Sequence, residues 1–99
     1  MQRVMTSNDS NLLCPKCKSE FLHHSEIAIF DRREDKESGI QIKCNNGNAF
    51  IETDVSELAG NPSSRRDGLT IRFWCEICDI TSTLCIAQHK GNTECYWRD

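Results

Sequence analysis

The chain has 99 residues, a net charge of −3 and 37% hydrophobic residues, with a mean hydropathy of −0.57. That length suffices for one domain, and so modest an apolar content leaves it marginal without a further constraint. The acidic balance argues against broad electrostatic binding of nucleic acid, and no apolar run approaches the length of a membrane span. Charge is unevenly spread: residues 1–30 and 60–99 balance, whereas Asp31, Glu34, Asp35, Glu37, Glu52, Asp54 and Glu57 outnumber Arg32, Arg33, Lys36 and Lys43. Any anion-binding surface is therefore local and lies away from that middle segment.

In chain order, residues 1–11 are polar and are expected to be a flexible N-terminus, with residues 12–99 as a single domain. The start MQRVMTSNDSN carries no apolar stretch of a secretory signal, so a cytoplasmic location with reduced thiols is expected. Phe21–Phe30, rich in β-branched and aromatic residues, reads as a strand, and Asp31–Gly39 as an exposed turn or loop. Ile40, Ile42 and Cys44 alternate with polar residues in a second strand. Asn45-Asn46-Gly47-Asn48 is a tight-turn signal, and Ala49–Thr53 returns as a third strand. Asp54–Ala59 predicts one helical turn, capped by Asp54 with Glu57 at the third position and Gly60 ending it. Asn61–Gly68 is a loop. Leu69, Ile71 and Phe73 alternate with Thr70, Arg72 and Trp74, and Ile80–Gln88 forms a further strand. A turn at Gly91-Asn92 leads into a last strand, Thr93–Trp97.

The seven cysteines are odd in number, so they cannot all pair within one chain. Four of them form two Cys-x-x-Cys hooks, Cys14/Cys17 and Cys75/Cys78. Two thiolates two residues apart curl round one ion, and two such hooks complete a closed tetrahedral Cys₄ site for one structural Zn²⁺. Each hook adjoins a predicted strand. A redox-active hook and a hook that merely packs are the competing readings.

The stretches Leu13-Cys14-Pro15-Lys16-Cys17-Lys18 and Trp74-Cys75-Glu76-Ile77-Cys78-Asp79 resemble the zinc-ribbon family, in which two knuckles at the ends of β-hairpins share one zinc. Asp79 stands where that family often has glycine, and Asp tolerates the left-handed conformation. The expected fold is small and mostly antiparallel β, a zinc ribbon with two CxxC knuckles and an inserted β-hairpin segment. The longer stretches LLCPKC…FLHHSEIAIFDRRED, NPSSRRDGLTIRFWCEIC and IAQHKGNTECYW are similar to uncharacterised small zinc-ribbon proteins of bacteria and their phages. That resemblance implies a bacterial or phage setting and assigns no activity.

Of the remaining cysteines, Cys44 and Cys85 fall on alternating strand positions that suit a core, and Cys95 suits an exposed one. His23-His24 invites comparison with HNH nucleases, but further ligands on a following helix are missing, and adjacent strand residues point to opposite faces. One of the pair meeting His89 across the sheet is a further expectation. No nucleophile with a neighbouring base stands out, so binding rather than catalysis is expected, with a metal-dependent nuclease as the remotest alternative.

Ser63, Ser64, Arg65 and Arg66 share the loop, and hydroxyl and guanidinium groups suit phosphate. Gln88, His89 and Lys90 form a second polar cluster. Arg72 and Trp74 lie on one face of the following strand, where an indole offers a stacking platform for a base. These nine residues are the candidate contact surface for nucleic acid or a nucleic-acid-handling protein. The alternative is an inhibitor or adaptor that binds a host protein through the acidic middle or a sheet edge. A free β-edge also leaves room for a homodimer.

Overall fold

The structure, a computed structural model, describes residues 2–34, 36–56 and 58–98. Its strands are β1 (Gln2–Arg3), β2 (Leu22–Asp31), β3 (Gly39–Asn45), β4 (Asn48–Val55), β5 (Gly68–Cys75), β6 (Thr81–His89) and β7 (Asn92–Arg98). They form one sheet in the order β1-β7-β6-β5-β2-β3-β4. Every pairing is antiparallel, and no helix occurs among the described residues. The expected antiparallel β architecture is thus present, and β3–β4 is the hairpin inserted between β2 and β5.

Residues paired directly across antiparallel strands share a face, so the register sorts the side chains. One face carries the rows Phe30–Gly68–Ala87 and Ala28–Thr70–Cys85, all buried. The loop before β5 covers this face. Arg98 Nη1 donates to the Gly60 carbonyl at 3.1 Å, and a Cβ on Gly60 would lie 3.7 Å from the Phe30 ring. At Gly68 a Cβ would fall 2.0 Å from Asn61 Oδ1 and 2.8 Å from Pro62 Cδ. Glycine is therefore required where the loop crosses the strand.

The opposite face carries an apolar row across six strands, Ile51–Ile42–Ile29–Leu69–Ile86–Cys95. The neighbouring row includes Leu84 and Trp97, both buried. The Trp97 ring meets Phe73 edge-on at 5.8 Å. Burial on this face is concentrated toward β6 and β7, and Ile29 and Ile51 are exposed.

Three expectations change. The helical turn expected over residues 54–59 does not start at Asp54: β4 runs to Val55, and Asp54 takes φ 59° beside a register shift opposite Gly39–Gln41. A helix-capping residue needs an extended backbone instead; Glu57 lies outside the described residues. The last turn falls at Lys90-Gly91, with His89 paired to Asn92, because Lys90 adopts φ 48°. Cys44 is exposed rather than in the core, since none of the described segments covers its end of the apolar face; Cys85 is buried and Cys95 exposed, as expected. Within the N-terminal segment expected to be flexible, Gln2 and Arg3 pair with Trp97 and Tyr96, and Thr6 bridges Leu12.

Candidate metal centre

Strand pairing creates the cysteine cluster. Strand β2 begins just after the first hook and β5 ends in the second, so their antiparallel register sets Leu22 opposite Cys75. A backbone bond from the Glu76 N–H to the Phe21 carbonyl, 3.0 Å, extends that ladder into the second hook. From the other side, Gln2 Nε2 donates to the Pro15 carbonyl at 2.9 Å and holds the first hook against β1.

The two hooks are the same turn built twice. In the first, the Cys14 N–H donates to Ser19 O at 2.9 Å and the Lys18 N–H to Cys14 O at 3.0 Å. In the second, the Cys75 N–H donates to Ile80 O at 3.1 Å and the Asp79 N–H to Cys75 O at 2.9 Å. The residue after each second cysteine is left-handed, Lys18 at φ 67° and Asp79 at φ 61°. Glycine is the usual occupant of such a position; here Asp79 is fixed by its side chain, whose Oδ1 accepts from Trp74 Nε1 at 2.6 Å.

The four sulfur atoms lie within 4.8 Å of one another. Cys14 and Cys78 are 3.7 Å apart, and Cys17 and Cys75 are 3.5 Å apart. A tetrahedron with metal–sulfur bonds of about 2.3 Å has edges of about 3.8 Å, so the thiols are spaced to hold a metal ion. Backbone N–H groups also reach the sulfurs. The Lys16 N–H points at Cys14 Sγ, 3.4 Å away, and the N–H groups of Cys78 and Ile77 hold the Cys75 thiol down at about 6. Burial has the opposite effect on Cys78, pushed up to about 12. An incoming cation therefore meets at least one ready thiolate and displaces protons from its neighbours. Cys14 and Cys75 are buried, Cys78 is partly covered and Cys17 is exposed, so the cluster is covered on one side and open to solvent along Cys17.

The basic candidates do not all converge. Loop residues 61–67 and the β6–β7 turn do meet at one end of the sheet. Ser63 Oγ donates to the Gln88 carbonyl at 2.9 Å and accepts from the Arg66 N–H at 3.0 Å, so this buried hydroxyl is committed to the fold. Arg66 pairs with Glu34 at 2.7 Å. The Ser64 carbonyl accepts from Arg32 Nη1, and Gln88 Oε1 accepts from Thr93 Oγ1 at 3.2 Å. Arg65, His89 and Lys90 remain exposed. Arg72 and Trp74 lie in the half of β5 nearer the hooks. The Arg72 row crosses β6 at Thr83, about 20 Å along the strand from His89 at the usual rise per residue. Trp74 braces the second hook through Asp79 and packs 5.5 Å from His23.

The histidines separate likewise. His23 pairs with Trp74 and His24 with Phe73. His23 Nε2 lies 3.2 Å from Glu76 Oε1, and the His24 ring lies 6.3 Å from Phe73. The Phe73 row crosses β6 at Ser82, about 23 Å from His89, so neither meets His89. Two residues outside the candidate set prove structural to both ends. Asp79 locks the second hook. Asp67 Oδ1 accepts from the Arg32 N–H at 2.8 Å, while its carbonyl accepts from the Gln88 N–H at 3.0 Å. Only the Asp-Gly turn pattern before β5 hinted at the latter. No protein-family model, curated protein or solved structure matches the chain.

Proposed function

We propose that Cys14, Cys17, Cys75 and Cys78 hold one structural Zn²⁺, and that the chain is a zinc-ribbon-like binding module. The clustering of four sulfurs within 4.8 Å of one another carries this reading, with two cross-hook pairs at 3.7 and 3.5 Å. Four thiolates so gathered favour a soft tetrahedral ion and leave no open coordination position for chemistry. The ion fixes the hook end of a sheet whose other end presents Arg65, His89 and Lys90. Those three form the contact for nucleic acid or a nucleic-acid-handling protein, and the reading is supported by the way Ser63 and Asp67 pin the loop that carries Arg65.

Native mass spectrometry of the chain purified without added metal or chelator should find one zinc per chain; a folded, metal-free chain defeats the assignment. Arg65→Ala combined with Lys90→Ala should weaken binding to single- and double-stranded nucleic acid. The slope of log K against log salt should flatten by about one for each phosphate that the variant no longer neutralises. Unchanged binding by this pair removes the basic end as the contact. Arg66 is unsuitable for the test because its guanidinium ties the loop to Glu34.

A further inference from the structure

Strand β4 ends the sheet, and its residues from Asn48 to Asp54 are all exposed. Natural edge strands resist further pairing with proline, lysine or bulges. In Asn48–Glu52 there is none of these, and Phe50 and Ile51 are 58% and 67% exposed. The turn at Asn46-Gly47 makes Asn45 and Asn48 the first hydrogen-bonded pair, and bonded and non-bonded pairs alternate beyond it. In the observed register, Lys43–Phe50 and Gln41–Glu52 are therefore bonded inward. The N–H and C=O groups of Ala49 and Ile51 point off the sheet. The regular edge stops after Glu52, where the register shifts and Asp54 turns left-handed.

We propose that this edge binds a second copy of the chain, antiparallel about a two-fold axis through Phe50. Phe50 is the midpoint of the regular stretch Asn48–Glu52, so this register uses all of it. Ala49 then faces Ile51 of the second copy, and each such pair exchanges both N–H···O bonds. Phe50 meets Phe50 in a closely spaced non-bonded pair, an aromatic pairing that stabilises sheets. Glu52 faces Asn48, so no like charges meet. Moving the axis to Ile51 would set Ala49 against Thr53 at the irregularity, and moving it to Ala49 would engage the turn. On the far face the apolar row that ends in Ile51 continues onto Ala49 and Cys44 of the second copy. This association is independent of the ion and of the basic loop. A single short strand pair buries little surface, so the dimer belongs to the weak, transient class.

Sedimentation velocity of the full metal-loaded chain, from dilute to millimolar, should show a monomer–dimer equilibrium. Phe50→Glu places two carboxylates in the close pair and should weaken dimerisation by roughly tenfold or more, whereas Phe50→Tyr should preserve it. A second measurement uses Phe50→Cys in a Cys44→Ser, Cys95→Ser background. The close pair spans about 4.5 Å between Cα atoms, within disulfide reach, so oxidised glutathione should convert the chain to a covalent dimer. A monomer at every concentration overturns the proposal. So does a dimer that tolerates Phe50→Glu and fails to cross-link, which would place the contact on the apolar sheet face, or an edge that takes up only a foreign chain.

Discussion

The β3–β4 and β6–β7 hairpins turn on the same two-residue conformation but differ in everything the turn does not decide. Asn46-Gly47 takes φ 52° and 79°, and Lys90-Gly91 takes 48° and 88°, the paired positive values that suit the twist of a tight hairpin. Strand β6 buries Ser82, Leu84, Cys85 and Ala87, and β7 buries Trp97 to 1% exposure. Strand β4 buries nothing fully. Hairpin β6–β7 lies between β5 and β1, with the Ser63 loop bonded to its end. Among the described strands, hairpin β3–β4 touches the sheet through β2 alone. Turn chemistry therefore makes a hairpin, and neighbours on both edges and faces determine how much it contributes to stability.

The strongest way to break this contrast is at the hooks. Cys14→Ser should abolish metal binding, and with it folding stability on the order of 10 kcal/mol, read as absent zinc by native mass spectrometry and a collapsed β signal by circular dichroism. A folded variant would show that the β6–β7 side stands without the ion. Next, Trp97→Ala should cost about 3–5 kcal/mol, while Phe50→Ala in dilute solution should stay within about 0.5 kcal/mol. Equal urea midpoints for the two would erase the distinction.

Smaller effects sharpen it. A methyl group at Gly47 or Gly91 meets nothing within 4 Å, so alanine at either position costs only the left-handed strain of about 1–2 kcal/mol. Gly91→Ala should lower the global urea midpoint by that amount. Gly47→Ala should appear chiefly as faster amide exchange in β3 and β4, because that hairpin opens locally. Equal midpoint shifts would show the two to be one cooperative unit. The last test is pH. Burial pushes the Cys78 thiol up to about 12, so its proton leaves only as the ion binds. Metal affinity should therefore rise with pH through the neutral range, read by competition with a chelator, and a flat profile would show that the thiols are not the ligands.

Much of this was legible in the residues. Period-two alternation located β2, β3, β5 and β6, turn signals placed β4 and β7, and hook spacing identified the four thiols that pairing brings together. What alternation cannot report is which face another segment will cover. Cys44 and Cys85 carry the same local pattern, yet only Cys85 faces the side roofed by the loop before β5. Asp54 looked like a helix cap because its short carboxylate suits that role, but the same side chain also tolerates the left-handed kink that lets β4 continue. Ser63 and Arg66 looked like phosphate ligands because hydroxyl and guanidinium groups serve equally well to staple a loop. Their partners, the Gln88 carbonyl and Glu34, are distant in sequence. Trp74 was split from the basic cluster by strand length alone.

The hooks also set the order in which the chain can fold. Cys14 and Cys78 are 64 positions apart, and the ligand pairs meet only once β2 has registered against β5. Either hook alone offers two thiolates at local cost, whereas four-fold coordination must await a long-range closure, which is the slow step for sheets of this connectivity. Metal uptake should accordingly be biphasic, a fast capture by one hook followed by a slow completion at the rate of sheet assembly. The ion would then act as a clock for the last and least local event in folding.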